Sequence, residues 1–377
     1  MGASPLPLRA IGFLEHPRRG LANMHIPDGY LSPATCAALY AGAAPFWYVA
    51  LTRMRRVLHT RLVPLLSVFA AFSFIVMMFN LPLPGGTTGH ATGVGIAAIV
   101  LGPWASILGI SIALFIQAVF FGDGGITALG ANCFNMAIIG SLSAYAIYRA
   151  VSLRSPVDSP RRVIAAALAG YLSINLAALA AAVEFGIQPL LYRDSTGAPL
   201  YAPYPLSIAV PAMMIGHLTI AGLAEMIVTA GVVAYLQRAE PSLLAPNAPG
   251  APHTMAPSKS GWLSTRPLWV ALAALMILTP LGIVAAGSAW GEWAPRDFVN
   301  GVSRRQIAAA SGNQPPPEAA PAGMRRLSAF WTAPMPQYAP PFLRSAAFGY
   351  LLSAMTGTGL IILVFLLAAR FFARRPG

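Results

Sequence analysis

The chain has 377 residues, of which 56% are hydrophobic and 9% are charged, and its formal net charge is +13. About a quarter of a soluble domain is charged, so this composition excludes a soluble globular domain and indicates an integral membrane protein. The basic residues stand in short clusters between apolar stretches, as the positive-inside rule predicts, and not on the continuous basic surface of a nucleic-acid-binding protein. We therefore expect membrane lipid, and no nucleic acid, among its partners.

Residues 1–23 contain prolines and arginines but no apolar stretch adequate for a signal peptide or a membrane span. We expect them to be a removed leader or the product of a mis-assigned start, with the functional chain beginning at Met24. The two cysteines, Cys36 and Cys133, lack the spacing of a metal site and are predicted to be packing residues. The sequence has no phosphate-binding loop, so any ATP-driven step must be powered by another chain.

The Met24–His25 pair predicts a metal chelate if Met24 carries a free amine. That amine, the His25 backbone nitrogen and the His25 imidazole would close two fused rings, and three nitrogens in a plane suit Ni(II) or Cu(II). His90 follows a glycine-rich turn that permits close approach of the backbone, and it would add a fourth nitrogen. The alternative is an interfacial loop with an incidental histidine.

Seven membrane spans are predicted in the first part of the chain. Their approximate bounds are Cys36–Leu51, Leu62–Leu81, a short segment Thr92–Gly102, Trp104–Phe121, Ile126–Tyr148, Val163–Val183 and Ser207–Leu236. The short segment cannot cross a bilayer core of about 30 Å unaided. The arginines from Arg53 to Arg61 mark the cytoplasmic end of the first span, which leaves Met24 outside. Because the second span returns outward, it brings His90 to the same face as His25.

Several polar residues in the spans are candidates for supporting roles. Asn132 and Asn135 would hold the N-terminal loop or the Gly86–His90 turn, or would form an ordinary interhelical pair. His217 would support the metal ligands or serve as a transient metal stop, or else be a packing residue. Glu225 is interpreted as a buried structural or coupling carboxylate whose partner the sequence does not identify.

The last third of the chain is predicted to form a separate unit. Residues 241–264 are rich in proline, alanine and serine and indicate a cytoplasmic linker. Two further spans, Pro267–Ala286 and Ala346–Ala369, flank an outer segment, Gly287–Ser345, in which we expect no clear core. Arginines at the end of the chain place the C-terminus in the cytoplasm.

The segment Met24–Ser32, with the sequence MHIPDGYLS, resembles the N-terminal signature of the substrate-binding (S) components of nickel/cobalt energy-coupling-factor transporters, the CbiM/NikM family. The resemblance covers about residues 24–240 and continues through motifs at Gly86–His90, Leu101–Trp104, Gly122–Gly125, Leu129–Met136, Gly216–His217 and Glu225. A weaker resemblance over about residues 265–375, at Thr279–Gly282 and Ala289–Trp293, is to the NikN-type partner subunit that is fused to some nickel transporters.

The resemblance implies an all-α integral membrane protein, with a seven-span S-component bundle and an inserted N-terminal loop, followed by a two-span helical domain. The domains would be 1–23, 24–240, the linker 241–264, and 265–377. The metal ligands would be Met24, His25 and His90. Supporting residues would be Asp28, Asn132, Asn135 and His217.

The implied substrate is Ni(II) or Co(II), with no bound organic cofactor. It would be captured outside a bacterial-type inner membrane and passed inward with a separate transmembrane coupling (T) subunit and two cytoplasmic ATPases, so the chain itself would be no enzyme. The small-residue faces Gly93–Ala97 and Ala166–Gly170 are candidates for contacting the coupling subunit. A square plane of four nitrogens favours Ni(II), and the Pro-Asp after His25 with the fused C-terminal domain resembles the nickel branch of the family. Cobalt remains plausible, because the affinities of neighbouring divalent ions lie close.

Two alternatives belong to other classes. An intramembrane metallohydrolase would need an open coordination position and a general base beside the metal. The sequence has no His-Glu-x-x-His motif, and Asp28 is the only carboxylate close in sequence to the proposed ligands. A non-transporting membrane metal sensor is the second alternative.

Overall fold

The computed structural model describes residues 25–55, 62–245, 262–285 and 287–373. The helices are α1 Pro33–Arg55, α2 Leu62–Val76, α3 Val94–Leu101, α4 Pro103–Ile116, α5 Leu129–Asn132, α6 Ser141–Ser152, α7 Pro160–Leu191, α8 Leu206–Gly216, α9 Gly222–Ala239, α10 Trp262–Leu278, α11 Gly301–Ala310, α12 Ala322–Leu327 and α13 Ala346–Ala373. Strands β1 Leu81–Leu83 and β2 Thr87–Gly89 form an antiparallel hairpin. Wider π-helical turns, Gln117–Phe121, Cys133–Gly140 and His217–Ala221, extend α4, join α5 to α6 and join α8 to α9.

The protein is a mostly helical membrane protein, as predicted. Within the described residues, 6 helical stretches are long and apolar enough to cross a membrane: Pro33–Arg55, Pro103–Phe121, Pro160–Leu191, Leu206–Ala239, Arg266–Ile283 and Ala346–Phe371. Helix α2 has 15 residues and α3 has 8, which is short for a bilayer core of about 30 Å. The count of seven spans plus two therefore stays a prediction.

Prolines and glycines set the helix ends near the proposed site. Gly102 has φ +81°, and Pro103 follows it in the first turn of α4, so α3 and α4 form a break and not one continuous helix. Helix α2 ends at Val76, before the predicted Leu81. Pro82 restricts Leu81 to extended backbone and cannot donate a helical hydrogen bond, so the helix cannot continue through Leu81. The chain enters β1 instead.

The hairpin that carries His90 depends on two glycines. Leu83 pairs with Thr87 and Leu81 pairs with Gly89. Gly85 and Gly86, in the turn between them, have φ +84° and +78°, a region that glycine enters without steric cost. The turn therefore reverses the chain within three residues and directs β2 back toward the bundle.

Helix α7 lies at the centre of the bundle and packs against α3, α6, α8 and α9. A Cβ on Gly95 of α3 would lie 3.0 Å from the Cα of Gly170 on α7, so the two backbones are in close contact. Ala97, Ala166 and Ala169 are buried. The prediction that the two small-residue faces contact a coupling subunit was wrong, because they pack against each other inside this chain.

The outer segment of the C-terminal region has a core, contrary to our expectation. Trp290, Trp293 and Phe298 are buried and pack with Tyr30 and Phe185 of the first domain. Helices α10 and α13 pack against α2. The outer segment therefore covers the N-terminal loop, while its flanking helices join the bundle. Of the predicted linker, residues 246–261 lie outside the described part of the chain.

Candidate metal site

Asn132 holds the N-terminal loop, residues 25–32, inside the outer end of the bundle. Its Oδ1 accepts a hydrogen bond from the Ile26 N–H at 3.0 Å, and its Nδ2 donates to the Ile26 carbonyl at 3.1 Å. The same carbonyl accepts from the Gly125 N–H at 2.9 Å. A buried amide that satisfies both backbone groups of one residue fixes the position of that residue, and His25 is its neighbour.

Asp28 binds the middle of this loop to the Gly122–Thr127 segment. Its carboxylate accepts hydrogen bonds from the backbone N–H groups of Ile126 at 3.2 Å and Thr127 at 2.7 Å, and from the Thr127 hydroxyl at 2.5 Å. A Cβ at Gly125 would collide with the Asp28 backbone, and one at Gly124 would lie 3.0 Å from the His25 Cβ. The glycines of the Gly122–Gly125 motif thus allow the two loops to touch.

The His25 side chain is fully buried at the tip of the loop. Its Nδ1 lies 3.1 Å from Asp123 Oδ1, an ion-pair distance whose angle does not suit a hydrogen bond. Its Nε2 has no hydrogen-bond partner within the described part of the chain. A buried imidazole with an unpaired nitrogen is costly unless something else binds it, which makes His25 a candidate ligand.

His90 lies beside His25, directly after β2. The centroids of the two rings are 5.2 Å apart, and the ring planes are inclined by 58°. His90 Nδ1 lies 2.9 Å from the Ala91 carbonyl oxygen. Because a carbonyl only accepts, Nδ1 carries the proton and Nε2 carries the lone pair, the tautomer that a metal ligand requires.

Asp123 and Tyr338 are site residues that sequence reasoning missed. Tyr338 donates a hydrogen bond of 2.6 Å to Asp123 Oδ2, while Oδ1 of the same carboxylate faces His25. Gln117 donates to the Tyr338 oxygen at 2.9 Å. The motif Gly122–Gly125 contains Asp123 and was the available signal for it. No pattern pointed to Tyr338, which lies 215 residues further along the chain.

Two cavities lie in this region, and the histidines line the inner one. The inner one has about 90 Å³ and is lined by His25, His90 and His217, among others. The outer one has about 360 Å³ and lies between the N-terminal loop, the Gly122–Gly125 loop and the outer segment. Glu292 lines both cavities. The outer segment therefore forms part of the wall on the approach to the histidines.

Glu292 is an acid in an unfavourable environment for charge. Its Oε2 is buried and has no hydrogen-bond partner among the described residues. Burial raises the pKa of the Glu292 carboxyl well above its ordinary value, and the nearby charge of Asp123 raises that pKa further. The wall between the two cavities therefore concentrates negative charge whenever Glu292 ionises.

The remaining candidates have other partners. Asn135 donates to Glu184 Oε2 at 2.8 Å and does not contact the loop, so it follows the interhelical alternative. His217 lines the inner cavity, and its Nδ1 bonds the Met213 carbonyl at 2.9 Å within its own helical segment. Glu225 accepts hydrogen bonds from the N-terminus of α3, which supplies the partner that the sequence left unidentified.

Met24 lies outside the described residues, as does the predicted leader. Within the residues that the structure describes, no three His, Cys, Asp or Glu side chains gather as a metal site. Two imidazoles completed by main-chain nitrogens would hold a metal ion without a third such side chain.

The fold and this site define a class: a multi-pass helical membrane protein in which an inserted loop and a hairpin bring two buried histidines together beneath an outer segment. Residues 25–243 match the CbiM family, described as the cobalt uptake substrate-specific transmembrane region, and residues 265–374 match the PDGLE domain. The chain therefore belongs to the CbiM/NikM family of metal transport proteins and carries a fused NikN-like domain.

Its relatives include fused proteins that align over nearly their whole length. The chain is 55% identical over 357 residues to the fused nickel transport protein NikMN of Rhodobacter capsulatus, which covers 94% of this chain and 100% of that protein. It is 40% identical over 350 residues to the probable fused nickel transport protein LarMN of Lactiplantibacillus plantarum, covering 92% of this chain and 97% of the relative. A crystal structure of a truncated transition-metal transporter has a TM-score of 0.53 and 50% identity, covering 56% of this chain and 98% of that one.

Proposed function

We propose that this chain is the substrate-specific membrane component of an energy-coupling-factor importer for Ni(II). It captures the ion outside a bacterial-type inner membrane and passes it inward with a separate T subunit and two cytoplasmic ATPases. Those partner chains hydrolyse the ATP, so this chain is a transporter subunit and not an enzyme. Two relatives named as nickel transport proteins support Ni(II) over Co(II), which is the alternative substrate.

The observation that carries the proposal is the pair of buried imidazoles. His25 and His90 have ring centroids 5.2 Å apart and line one cavity. The Met24 amine and the His25 amide nitrogen would complete a plane of four nitrogens. Imidazole and amide nitrogens suit the late first-row ions, and a square plane favours Ni(II) among the two candidates.

The proposed chelate uses Nδ1 of His25. A ring that closes through the His25 amide nitrogen must use Nδ1 of the same residue, because Nε2 is too far from its own backbone. Nδ1 lies 3.1 Å from Asp123 Oδ1 in the structure, so the ion would compete with Asp123 for this nitrogen. A carboxylate is a usual partner of a metal-bound imidazole, so Asp123 is the candidate acceptor for the Nε2–H of a loaded His25.

Each part of the chain has its own role in this proposal. Residues 24–240 capture the metal, residues 241–264 form a cytoplasmic linker, and residues 265–377 form a two-span domain whose outer segment covers the site. The outer cavity of about 360 Å³ is the route by which the ion reaches the histidines from outside. The arginine clusters support an orientation with the N-terminal loop outside and the C-terminus in the cytoplasm.

The metallohydrolase alternative lacks a suitable base. The carboxylate of Asp28 already accepts three hydrogen bonds from Ile126 and Thr127, which hold it away from a water on the metal. Asp123 is held between His25 and Tyr338. A membrane metal sensor would share the site but would bind the ion without moving it, so transport is the property to be measured.

The ligand assignment is tested by a pair of histidine variants. Elemental mass spectrometry of the purified protein should find one Ni(II) per chain, and His90→Ala should retain none while eluting as a folded protein. His217→Ala is the matched control, because it removes another imidazole from the same cavity; it should keep stoichiometric binding and slow transport. One Ni(II) bound by His90→Ala with wild-type affinity would remove His90 from the ligand set.

Coupling is tested in membrane vesicles. Uptake of radioactive Ni(II) should require this chain, the T subunit and the ATPases together, with ATP present. Equal uptake without the ATPases would contradict an energy-coupled importer. Binding without any uptake in the full assembly would favour the sensor.

A further inference from the structure

A chain of buried polar groups joins the C-terminal domain to His25. Asp123 lies at its centre, with Oδ1 3.1 Å from His25 Nδ1 and Oδ2 accepting a 2.6 Å hydrogen bond from the Tyr338 hydroxyl. Gln117 Nε2 donates to the Tyr338 oxygen at 2.9 Å. All four side chains are buried. Tyr338 is the member that belongs to the NikN-like region.

The Tyr338 ring is fixed on several sides. It stacks on Phe121, with ring centroids 4.9 Å apart and an interplanar angle of 23°. Its centroid lies 5.5 Å from that of the Tyr350 ring. The backbone carbonyl of Tyr338 accepts a hydrogen bond from Ser353 at 3.0 Å. These contacts do not depend on the hydroxyl group, so the ring would stay in place without it.

The backbone around Tyr338 is strained. Gln337 has φ +55° and Tyr338 has φ +59°, values that residues other than glycine rarely adopt. Two further hydrogen bonds tie this segment to the end of α4: the Met335 N–H donates to the Phe120 carbonyl, and the Trp331 indole donates to the Val119 carbonyl, both at 2.9 Å. Strained backbone that its surroundings hold in place is a feature of functional positions.

We propose that Tyr338 is a positioning residue for the metal ligand His25 and acts through Asp123. The hydroxyl holds one carboxylate oxygen, so the other oxygen keeps its direction toward the imidazole. A carboxylate held in this way orients the ring of a loaded histidine and keeps its distal N–H paired. This inference rests on the proposed function, since it takes His25 as a ligand of the transported ion.

Tyr338→Phe tests the proposal because it removes one oxygen atom and keeps the packing of the ring. Ni(II) affinity, measured by competition with a chelator, should fall about tenfold, and release of the ion should accelerate, as for other outer partners of metal-bound histidines. The absorption band of the bound Ni(II) should shift or broaden. The unfolding temperature measured with excess chelator serves as the check on folding.

Tyr204→Phe is the matched control. Tyr204 also lies beneath the outer segment, and its hydroxyl donates to the Gln314 carbonyl at 3.1 Å without touching Asp123. It should bind Ni(II) as the wild type does. If Tyr338→Phe proves unstable, Gln117→Leu loosens the same hydroxyl from the other side and should also weaken Ni(II) binding.

A double-mutant cycle separates positioning from general stabilisation. In an Asp123→Ala background, Tyr338→Phe should change Ni(II) affinity by less than about twofold, because the group through which it acts is gone. Equal losses in both backgrounds, or wild-type affinity and spectrum in Tyr338→Phe, would overturn the proposal. A wild-type chain that binds no Ni(II) would instead overturn the proposed function, so the two failures are distinguishable.

Discussion

At the scale of single residues, the site depends on how one amide holds the backbone of a loop. Asn132 makes two hydrogen bonds to Ile26, of 3.0 and 3.1 Å, and His25 precedes that residue. Asn132→Ala should leave the Ile26 N–H without this partner, at a cost of about 1–3 kcal/mol. The loop would then sample positions in which the His25 amide and ring no longer face the ion. We expect Ni(II) affinity to fall about tenfold or more.

Asn175→Ala provides the comparison for this variant. Asn175 is buried in α7, and its Nδ2 donates to the Tyr171 carbonyl of the same helix at 2.7 Å, remote from the loop. Chelator competition and thermal unfolding should be measured for both proteins. Similar Ni(II) affinities in the two variants would show that the Asn132 clamp does not position the ligand.

Sequence alone could not separate the two asparagines. Asn132 and Asn135 lie one helical turn apart in a single apolar segment, and an amide in such a segment must find some partner. Which partner each one finds depends on what the fold brings near: the N-terminal loop for Asn132, and Glu184 of α7 for Asn135. The contact between Asp123 and Tyr338 could not be predicted from the sequence at all, because residues 215 apart share no sequence periodicity.

At the scale of elements, helix α3 is capped by a carboxylate from another helix. Gly93, at its N-terminus, offers no side chain to cap it. Glu225 of α9 accepts hydrogen bonds there from the N–H groups of Thr92 at 2.6 Å, Gly93 at 2.9 Å and Gly95 at 3.1 Å. An anion at a helix N-terminus is also favoured by the helix dipole. Glu225 thus fixes the start of α3, four residues after His90.

Glu225→Ala should therefore destabilise the fold more than a typical substitution. It would leave three buried N–H groups without this acceptor, each at about 1–3 kcal/mol. We expect a marked drop in the unfolding temperature in detergent and a smaller drop for Glu225→Gln, which keeps one acceptor oxygen. Glu318→Ala, at an exposed site in the outer segment, should unfold like the wild type. Wild-type stability of Glu225→Ala would contradict the capping role.

Helices were predictable where the local composition determines them. They were less predictable where contacts between distant parts of the chain determine the structure. Apolar runs bounded by arginine, proline or glycine located most of the bundle. The core of the outer segment was missed because its apolar residues are sparse and aromatic and show no regular spacing in the sequence. They pack against Tyr30 and Phe185 of the first domain. That α2 ends before Leu81 was readable from Pro82.

At the scale of the whole molecule, the N-terminal loop lies between two layers. Asn132 and Asp28 bind it to the bundle below, and the outer segment covers it above, where the Tyr30 hydroxyl donates to the Trp293 carbonyl at 2.9 Å. A Cβ on Gly29 would lie 2.7 Å from the Met324 carbonyl oxygen, so the two layers are in close contact there.

The last prediction concerns the residue that precedes His25. The proposed chelate uses the nitrogen of Met24 as an amine, whose pKa is near 8, so losing its proton to a metal costs little at neutral pH. If residues 1–23 stayed attached, that nitrogen would be a planar amide, a poor donor unless a second amide were ionised. We predict that the functional protein begins at Met24, and intact-mass measurement of the natively expressed chain would establish this.

The role of the Met24 amine as a ligand is tested with two preparations that differ by one alanine before Met24, both released by the same protease. The longer one should bind Ni(II) at least tenfold more weakly, in keeping with the loss of one ligand, whereas one alanine added after Gly377 should change nothing. Equal affinity in the two N-terminal preparations would exclude the amine as a ligand.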